Sequence, residues 1–81
     1  MDVGIELSFY PLQAEFLAPI RTLIKRLNVA GGVRVVTNSM STQLYGEYGE
    51  VMQILTRELG EALGASGRCV VVLKLVGPLE D

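Results

Sequence analysis

Hydroxyl, amide and phenol groups occur at the ends of neighbouring predicted strands, where they could converge on a ligand. Ser8 and Tyr10 end the first predicted strand, and Ser41 and Thr42 begin the third. The hairpin between the second and third strands adds residues 37–39 (Thr-Asn-Ser). These groups can donate to and accept from a neutral heterocycle, and a tyrosine ring can stack on it. The alternative is that the hairpin side chains only cap their own turn.

Glu6 precedes Ser8 by two residues and therefore shares its face of the first strand. There it could meet a positive charge on a ligand. It could also pair with Arg34 or Lys74 across the sheet, which is the more common role of a carboxylate in a strand. Both interpretations stay open at this point.

The side chains needed for catalysis are scarce in this sequence. The chain has no His and one Cys, which excludes His-based triads, His-containing metal sites and an internal disulfide. Cys69 lies in an apolar strand without a base to activate it, so we expect a buried structural thiol. The carboxylates of the second predicted helix are expected on a solvated face: Glu47, Glu50, Glu58 and Glu61. We therefore expect no catalytic residue, no metal and no cofactor.

Phosphate-binding and nucleic-acid-binding patterns are also lacking. Residues 46–49 (Gly-Glu-Tyr-Gly) precede a predicted helix without the spacing of a dinucleotide-binding or P-loop motif, which indicates a simple strand-to-helix turn. Seven basic and nine acidic residues give a formal charge of -2, and no basic cluster exceeds Lys25-Arg26. The longest apolar run, residues 69–73, is too short to insert into a membrane. With a lone Cys and no export leader, the expected location is the cytoplasm.

Hydrophobic periodicity predicts the elements that position these residues. Apolar residues alternate in the first segment and then change to helical spacing, with Pro19 in the first turn and Gly31-Gly32 as a stop. The predicted strands are Val3–Tyr10, Val33–Asn38, Ser41–Tyr45 and Arg68–Val76. The first helix is predicted to start between Glu15 and Ala18 and to end before Gly31, and the second covers Glu47–Leu63. The apolar side of the helices comprises Phe16, Ile20, Leu23, Ile24 and Leu27, then Val51, Ile54, Leu55, Leu59, Ala62 and Leu63. An acidic tail, residues 80–81, follows Gly77-Pro78.

The order strand, helix, strand, strand, helix, strand predicts a single α+β domain, residues 1–81, of ferredoxin-like βαββαβ topology. Its four-stranded antiparallel sheet has the first and third strands in the centre and both helices on one face. The other face would carry Glu6, Ser8, Tyr10, Arg34, Val36, Asn38, Val70, Val72 and Lys74. Because an exposed patch with valines and a tyrosine is typical of an interface, we expect self-association through this face or a sheet edge.

Two segments and four single residues resemble a known family. They are residues 4–12 (GIELSFYPL), residues 37–42 (TNSMST), and Phe16, Ile20, Gly46 and Val51. They are similar to the YKOF-type proteins that bind thiamin and hydroxymethylpyrimidine, and to their single-domain relatives. The resemblance implies a ferredoxin-like fold, a non-catalytic binding function and assembly into dimers or tetramers. It implies ligand contacts from Ser8, Tyr10, Asn38, Ser41 and Thr42, to which the charge argument adds Glu6.

A second function class also fits the sequence. An ACT-like regulatory or assembly domain has the same fold and would bind an amino acid or a protein partner. Under the first hypothesis Tyr10 and the pair Ser41-Thr42 line a cavity, and under the second they pack against a partner or cap the hairpin. Since no cluster of Lys or Arg lies near these positions, thiamin or hydroxymethylpyrimidine is expected to bind better than thiamin diphosphate.

Overall fold

The computed structural model describes residues 1–79, so the predicted acidic tail lies outside the described residues. Six elements follow one another: β1 (Asp2–Pro11), α1 (Leu17–Ala30), β2 (Arg34–Thr37), β3 (Thr42–Glu47), α2 (Tyr48–Ser66) and β4 (Cys69–Val76). The strands form one antiparallel sheet in the order β2-β3-β1-β4. The predicted α+β topology, with the first and third strands in the centre, is confirmed.

The core lies between the sheet and the helices, and β1 contributes the most to it. Its alternating residues Val3, Ile5, Leu7 and Phe9 are all buried, because successive side chains of a strand point to opposite faces. They are joined by buried residues of β3, α1 and α2: Leu44, Leu23, Leu27, Val51, Ile54 and Leu55. The sequence alternation of β1 therefore identifies the covered face of the sheet.

The start of α1 at Leu17 lies within the predicted range of Glu15 to Ala18. Phe16 is the N-terminal cap and is exposed, so the expected place of this residue on the apolar side of the helix is wrong. Pro19 lies in the first turn, where its missing N–H costs no intrahelical bond. Gly31 ends the helix with φ 75°, a conformation that glycine adopts without strain.

Residues 46–49 form the predicted strand-to-helix turn, since β3 ends at Glu47 and α2 begins at Tyr48. The Glu47 carboxylate caps the helix by accepting a hydrogen bond from the Glu50 amide at 3.1 Å. Hydrogen bonds from the amides of Gly49 and Glu50 lower the pKa of Glu47. At the other end of α2, Leu63 is exposed, contrary to its predicted place on the apolar side.

Among the helical residues, Glu58 differs most clearly from its predicted environment. It was predicted on a solvated face, but only 4% of it is exposed. Its carboxylate accepts hydrogen bonds from Arg26 of α1 and, at 3.0 Å, from Arg57. The hydrogen bond from Arg26 is the main reason why the pKa of Glu58 lies below its ordinary value. The residue thus joins the two helices by an ion pair.

The last strand is less covered than the sequence suggested. Cys69 is only half buried, and its thiol donates to the Gly67 carbonyl at 3.3 Å, so the expected full burial is wrong. Leu73, on the same face, is 44% exposed. The helices pack against β1, β2 and β3, whereas the main contacts of β4 are with β1. Within residues 1–79, neither helix is long and apolar enough to cross a membrane.

Candidate functional site

A gap opens beside the second half of β1. Pairing of β1 with β3 ends at Leu7 and Thr42, whereas its pairing with β4 continues to Pro11 and Cys69. Residues 8–11 of β1 therefore have no strand neighbour on the hairpin side within the described chain. A cavity of about 210 Å³ fills this place, between the free edge of β1, the β2–β3 hairpin and α1.

The cavity has one apolar wall and one polar wall. The apolar wall comes from α1 and β1 and includes Ile20, Leu23, Ile24 and Leu7. The polar wall is the hairpin, residues 37–42. No charged side chain from the described residues lines the cavity. Such a mixture of apolar surface with a few polar groups is typical of small-molecule sites.

Asn38 shapes the hairpin with its own side chain. Its side-chain Oδ1 accepts hydrogen bonds from the backbone amides of Met40 at 2.8 Å and Ser41 at 3.1 Å. The backbone amide of Asn38 donates to the Ser41 carbonyl. The interpretation that this residue caps its own turn is thus confirmed for Oδ1. The Nδ2 group is the part of Asn38 that can donate to a ligand.

The side chains of Ser41 and Thr42 point to opposite faces of the sheet. Thr42 is in register with Leu7 and Thr37 on the helix side and is 6% exposed. Its hydroxyl shares a hydrogen bond of 3.1 Å with that of Thr37. Ser41 and Thr42 nevertheless both line the cavity, because it lies at the end of β3 where the hairpin begins.

Ser41 instead belongs to a polar network on the open face. Its hydroxyl donates to Glu6 Oε2 at 3.0 Å and accepts from Gln43 Nε2 at 3.1 Å. Lys74 Nζ lies 3.4 Å from Glu6 Oε1. The ion-pair interpretation of Glu6 is therefore confirmed with Lys74. Glu6 lies outside the cavity lining and can affect the cavity through the position of Ser41.

Arg34, the other predicted partner of Glu6, has a different contact. Its guanidinium carbon lies 4.4 Å from the centre of the Tyr45 ring, a cation–π arrangement on the open face. Tyr45 and Gln43 were not among the residues expected on that face. The alternation of β3 could have placed them there, since both share the parity of Ser41.

Ser8 and Tyr10 are in register with Val72 and Val70 of β4, which places their side chains on the open face as expected. Both residues also contribute to the cavity lining at the free edge of β1, and Tyr10 is 53% exposed. The structure thus gathers five of the six expected residues around one cavity: Ser8, Tyr10, Asn38, Ser41 and Thr42.

The apolar wall from α1 was not part of the expected site. Ile20 and Ile24 were assigned to the core, but both are only half buried because they face the cavity. Periodicity cannot distinguish a cavity wall from a packed core. In the described part of the chain, no group of three His, Cys, Asp or Glu side chains is placed to hold a metal ion.

Comparison with protein-family models and with curated proteins finds no match to this chain. Solved structures do match. A Thermotoga maritima protein provisionally assigned to thiamine biosynthesis or salvage, TM0486, superposes with a TM-score of 0.86 at 16% identity, over 96% of this chain and 85% of its own. A domain of unknown function, DUF77, from Bacillus cereus gives a TM-score of 0.80 at 18% identity, over 96% of this chain and 77% of its own. These two likenesses show a shared fold.

Sequence similarity is higher for the protein SP2199 from Streptococcus pneumoniae. It is 30% identical to this chain with a TM-score of 0.85, and the match covers 98% of this chain and 90% of SP2199. Identity at this level over nearly the full length of both chains indicates common descent as well as a common fold. The chain belongs to the same family as SP2199 of Streptococcus pneumoniae.

Proposed function

We propose that this protein is a non-catalytic binder of thiamin or its hydroxymethylpyrimidine part, of the YKOF type, that acts as a homo-oligomer in the cytoplasm. The observation that supports the proposal most strongly is the cavity of about 210 Å³ at the free edge of β1. Five of the six residues expected from the sequence to contact a ligand surround it. The shared fold of the Thermotoga maritima protein provisionally assigned to thiamine biosynthesis or salvage is consistent with this ligand class.

The size of the cavity favours one ring over two. Sites for drug-sized ligands are about 300–1,000 Å³, so a cavity of about 210 Å³ suits a single substituted ring. A hydroxymethylpyrimidine has this size. In thiamin, the pyrimidine would enter the cavity and the thiazolium would remain at the mouth, where Tyr10 can contact the cation through its ring face.

The polar groups at the cavity match an aminopyrimidine. Its ring nitrogens accept hydrogen bonds, which Asn38 Nδ2 and the hydroxyls of Ser8 and Ser39 can donate. Its amino group donates, and the unpaired backbone carbonyls at the free edge of β1 can accept from it. The isoleucines of α1 contact the flat face of the ring. This arrangement holds a ring in place without a group that would react with it.

The uncharged lining separates this proposal from its alternatives. An amino acid carries an ammonium and a carboxylate, and burial of both without charged partners costs several kcal/mol. The ACT-like alternative with an amino-acid ligand therefore fits this cavity poorly. For the same reason a diphosphate gains no ion pair here, and thiamin should bind better than thiamin diphosphate.

Isothermal titration calorimetry tests the proposal. Hydroxymethylpyrimidine and thiamin should each bind at one site per chain with a Kd on the order of 10 μM, a modest affinity for small ligands. Tyr10→Ala should weaken the binding of thiamin about tenfold through the loss of a ring contact. Tyr48→Ala is the matched control, because Tyr48 is an exposed tyrosine outside the cavity. No saturable heat with either ligand, or equal losses from both variants, would contradict the proposal.

A further inference from the structure

The backbone groups of β1 alternate between its two neighbouring strands. In an antiparallel sheet the N–H and C=O of one residue point to the same side, and those of the next residue point to the other side. The amide of Leu12, just after β1, donates to the Arg68 carbonyl at 3.1 Å, so the even-numbered residues face β4. The Met1 carbonyl accepts from the Tyr48 amide at 2.9 Å, so the odd-numbered residues face β3.

Phe9 is an odd-numbered residue that lies beyond the end of β3. Pairing of β1 with β3 stops at Leu7 and Thr42, and the same register would bring Met40 opposite Phe9. Met40 instead lies in the hairpin turn, where its amide donates to Asn38 Oδ1 at 2.8 Å. The N–H and C=O of Phe9 therefore point into the cavity, and no strand within residues 1–79 lies opposite them.

The surroundings of Phe9 fix the position of these two backbone groups. Its side chain is 8% exposed and belongs to the core beneath the helices. On the opposite edge, residues 8–11 are held by continuous pairing with β4. The donor and the acceptor are thus in place before a ligand arrives, which reduces the entropy lost on binding.

Pro11 limits what can pair with this edge of β1. It is the next odd-numbered residue, and a proline has no N–H to donate. The edge therefore offers one complete donor–acceptor pair, at Phe9, followed by a single carbonyl. An added peptide strand needs a repeated series of donors and acceptors. A small ring with one acceptor beside one donor fits better, and the cavity of about 210 Å³ suits that size.

We propose that the backbone of Phe9 recognises the amino edge of the pyrimidine: its N–H donates to a ring nitrogen, and its C=O accepts from the neighbouring amino group. The ligand then takes the place of the missing strand residue, with the two hydrogen bonds of an antiparallel pair. Phe9 was not among the residues expected to contact a ligand, because a side-chain pattern does not show where backbone groups lack a partner. The inference rests on the proposed function and specifies how its ligand is oriented.

Calorimetry with two analogues of hydroxymethylpyrimidine tests this contact. The analogue without the amino group leaves the Phe9 carbonyl without a donor, and its affinity should fall by roughly 10–100-fold. The matched control is the analogue without the ring methyl group, which keeps both hydrogen bonds. It should lose only about fourfold, through one missing apolar contact. Equal losses from the two analogues would overturn the inference.

Hydrogen exchange of the Phe9 amide, measured by NMR, is a second test that needs no variant. In the free protein this amide should exchange at least roughly tenfold faster than those of Ser8 and Tyr10, which are bonded to β4. Saturation with hydroxymethylpyrimidine should slow the Phe9 amide by at least roughly tenfold, and the two control amides by less. Saturable binding that leaves the Phe9 amide in fast exchange would overturn this inference alone. Absence of saturable binding would overturn the proposed function as well.

Discussion

Replacement of Glu58 by glutamine tests the ion pair between the helices. The carboxylate is 4% exposed and accepts hydrogen bonds from Arg26 and Arg57, and glutamine keeps its shape but removes its charge. Hydrogen bonds to charged groups contribute about 1.5–3 kcal/mol each when buried. Both arginines are about half exposed and can return to water, so the loss should be smaller than the sum of two bonds. We expect the free energy of unfolding to fall by about 2 kcal/mol, which corresponds to roughly 10 °C in Tm for a domain of this size.

The stability lost in Glu58→Gln should depend on pH with a definite sign. Because the pKa of Glu58 is lower in the folded chain than in the unfolded chain, its stabilisation is fully present above the ordinary carboxyl pKa, about 4.5. This stabilisation is lost as the pH falls through the pKa of Glu58 in the folded chain. The difference in urea stability between wild type and Glu58→Gln should therefore be full at pH 7 and shrink progressively as the pH falls below about 4.5. Glu61→Gln, an exposed site on the same helix, is the control and should change little. A difference that persists unchanged at pH 3 would refute the ion-pair explanation.

Two further substitutions test the core and the hairpin. Leu44→Ala, at a fully buried position of β3, should lower the free energy of unfolding by about 3 kcal/mol in urea denaturation; a loss below 1 kcal/mol would show that this part of the core is loosely packed. Asn38→Ala removes the acceptor of two turn hydrogen bonds and should cost about 1 kcal/mol. Calorimetry should also show that Asn38→Ala weakens binding of the pyrimidine ligand by about tenfold. If the variant loses the expected stability but keeps its affinity for the ligand, Asn38 is not part of the site.

The sequence predicted the sheet well because the decisive information is local. In β1, strict alternation of apolar and polar residues specifies which face is buried, and all four of its apolar residues are in the core. The same rule shows that Ser41 and Thr42, as neighbours in an extended strand, must diverge to opposite faces. Both nevertheless line the cavity, because it lies where β3 begins.

Other features depend on how elements pack, which periodicity does not report. The spacing of Glu58 from the buried residues of α2 places it on the covered face, whereas its charge is typical of a solvated position. Periodicity does not report its partner, Arg26 on the other helix. In β4 nearly every residue is apolar, so its pattern cannot indicate which faces are covered. The exposure of Leu73 follows from the placement of the helices over the other three strands. The cavity wall formed by Ile20 and Ile24 has the same origin.

The binding of hydroxymethylpyrimidine at the free edge of β1 is the central claim, and an NMR titration of the isotope-labelled protein tests it most directly. Saturable amide shifts should be confined to residues 8–10 and 37–42 and to the facing turn of α1, with no change at the N-terminus of α2. The same residues should respond to thiamin, since the pyrimidine enters the same cavity. Shifts that do not saturate, or that concentrate on the open face around Gln43 and Tyr45, would contradict the claim.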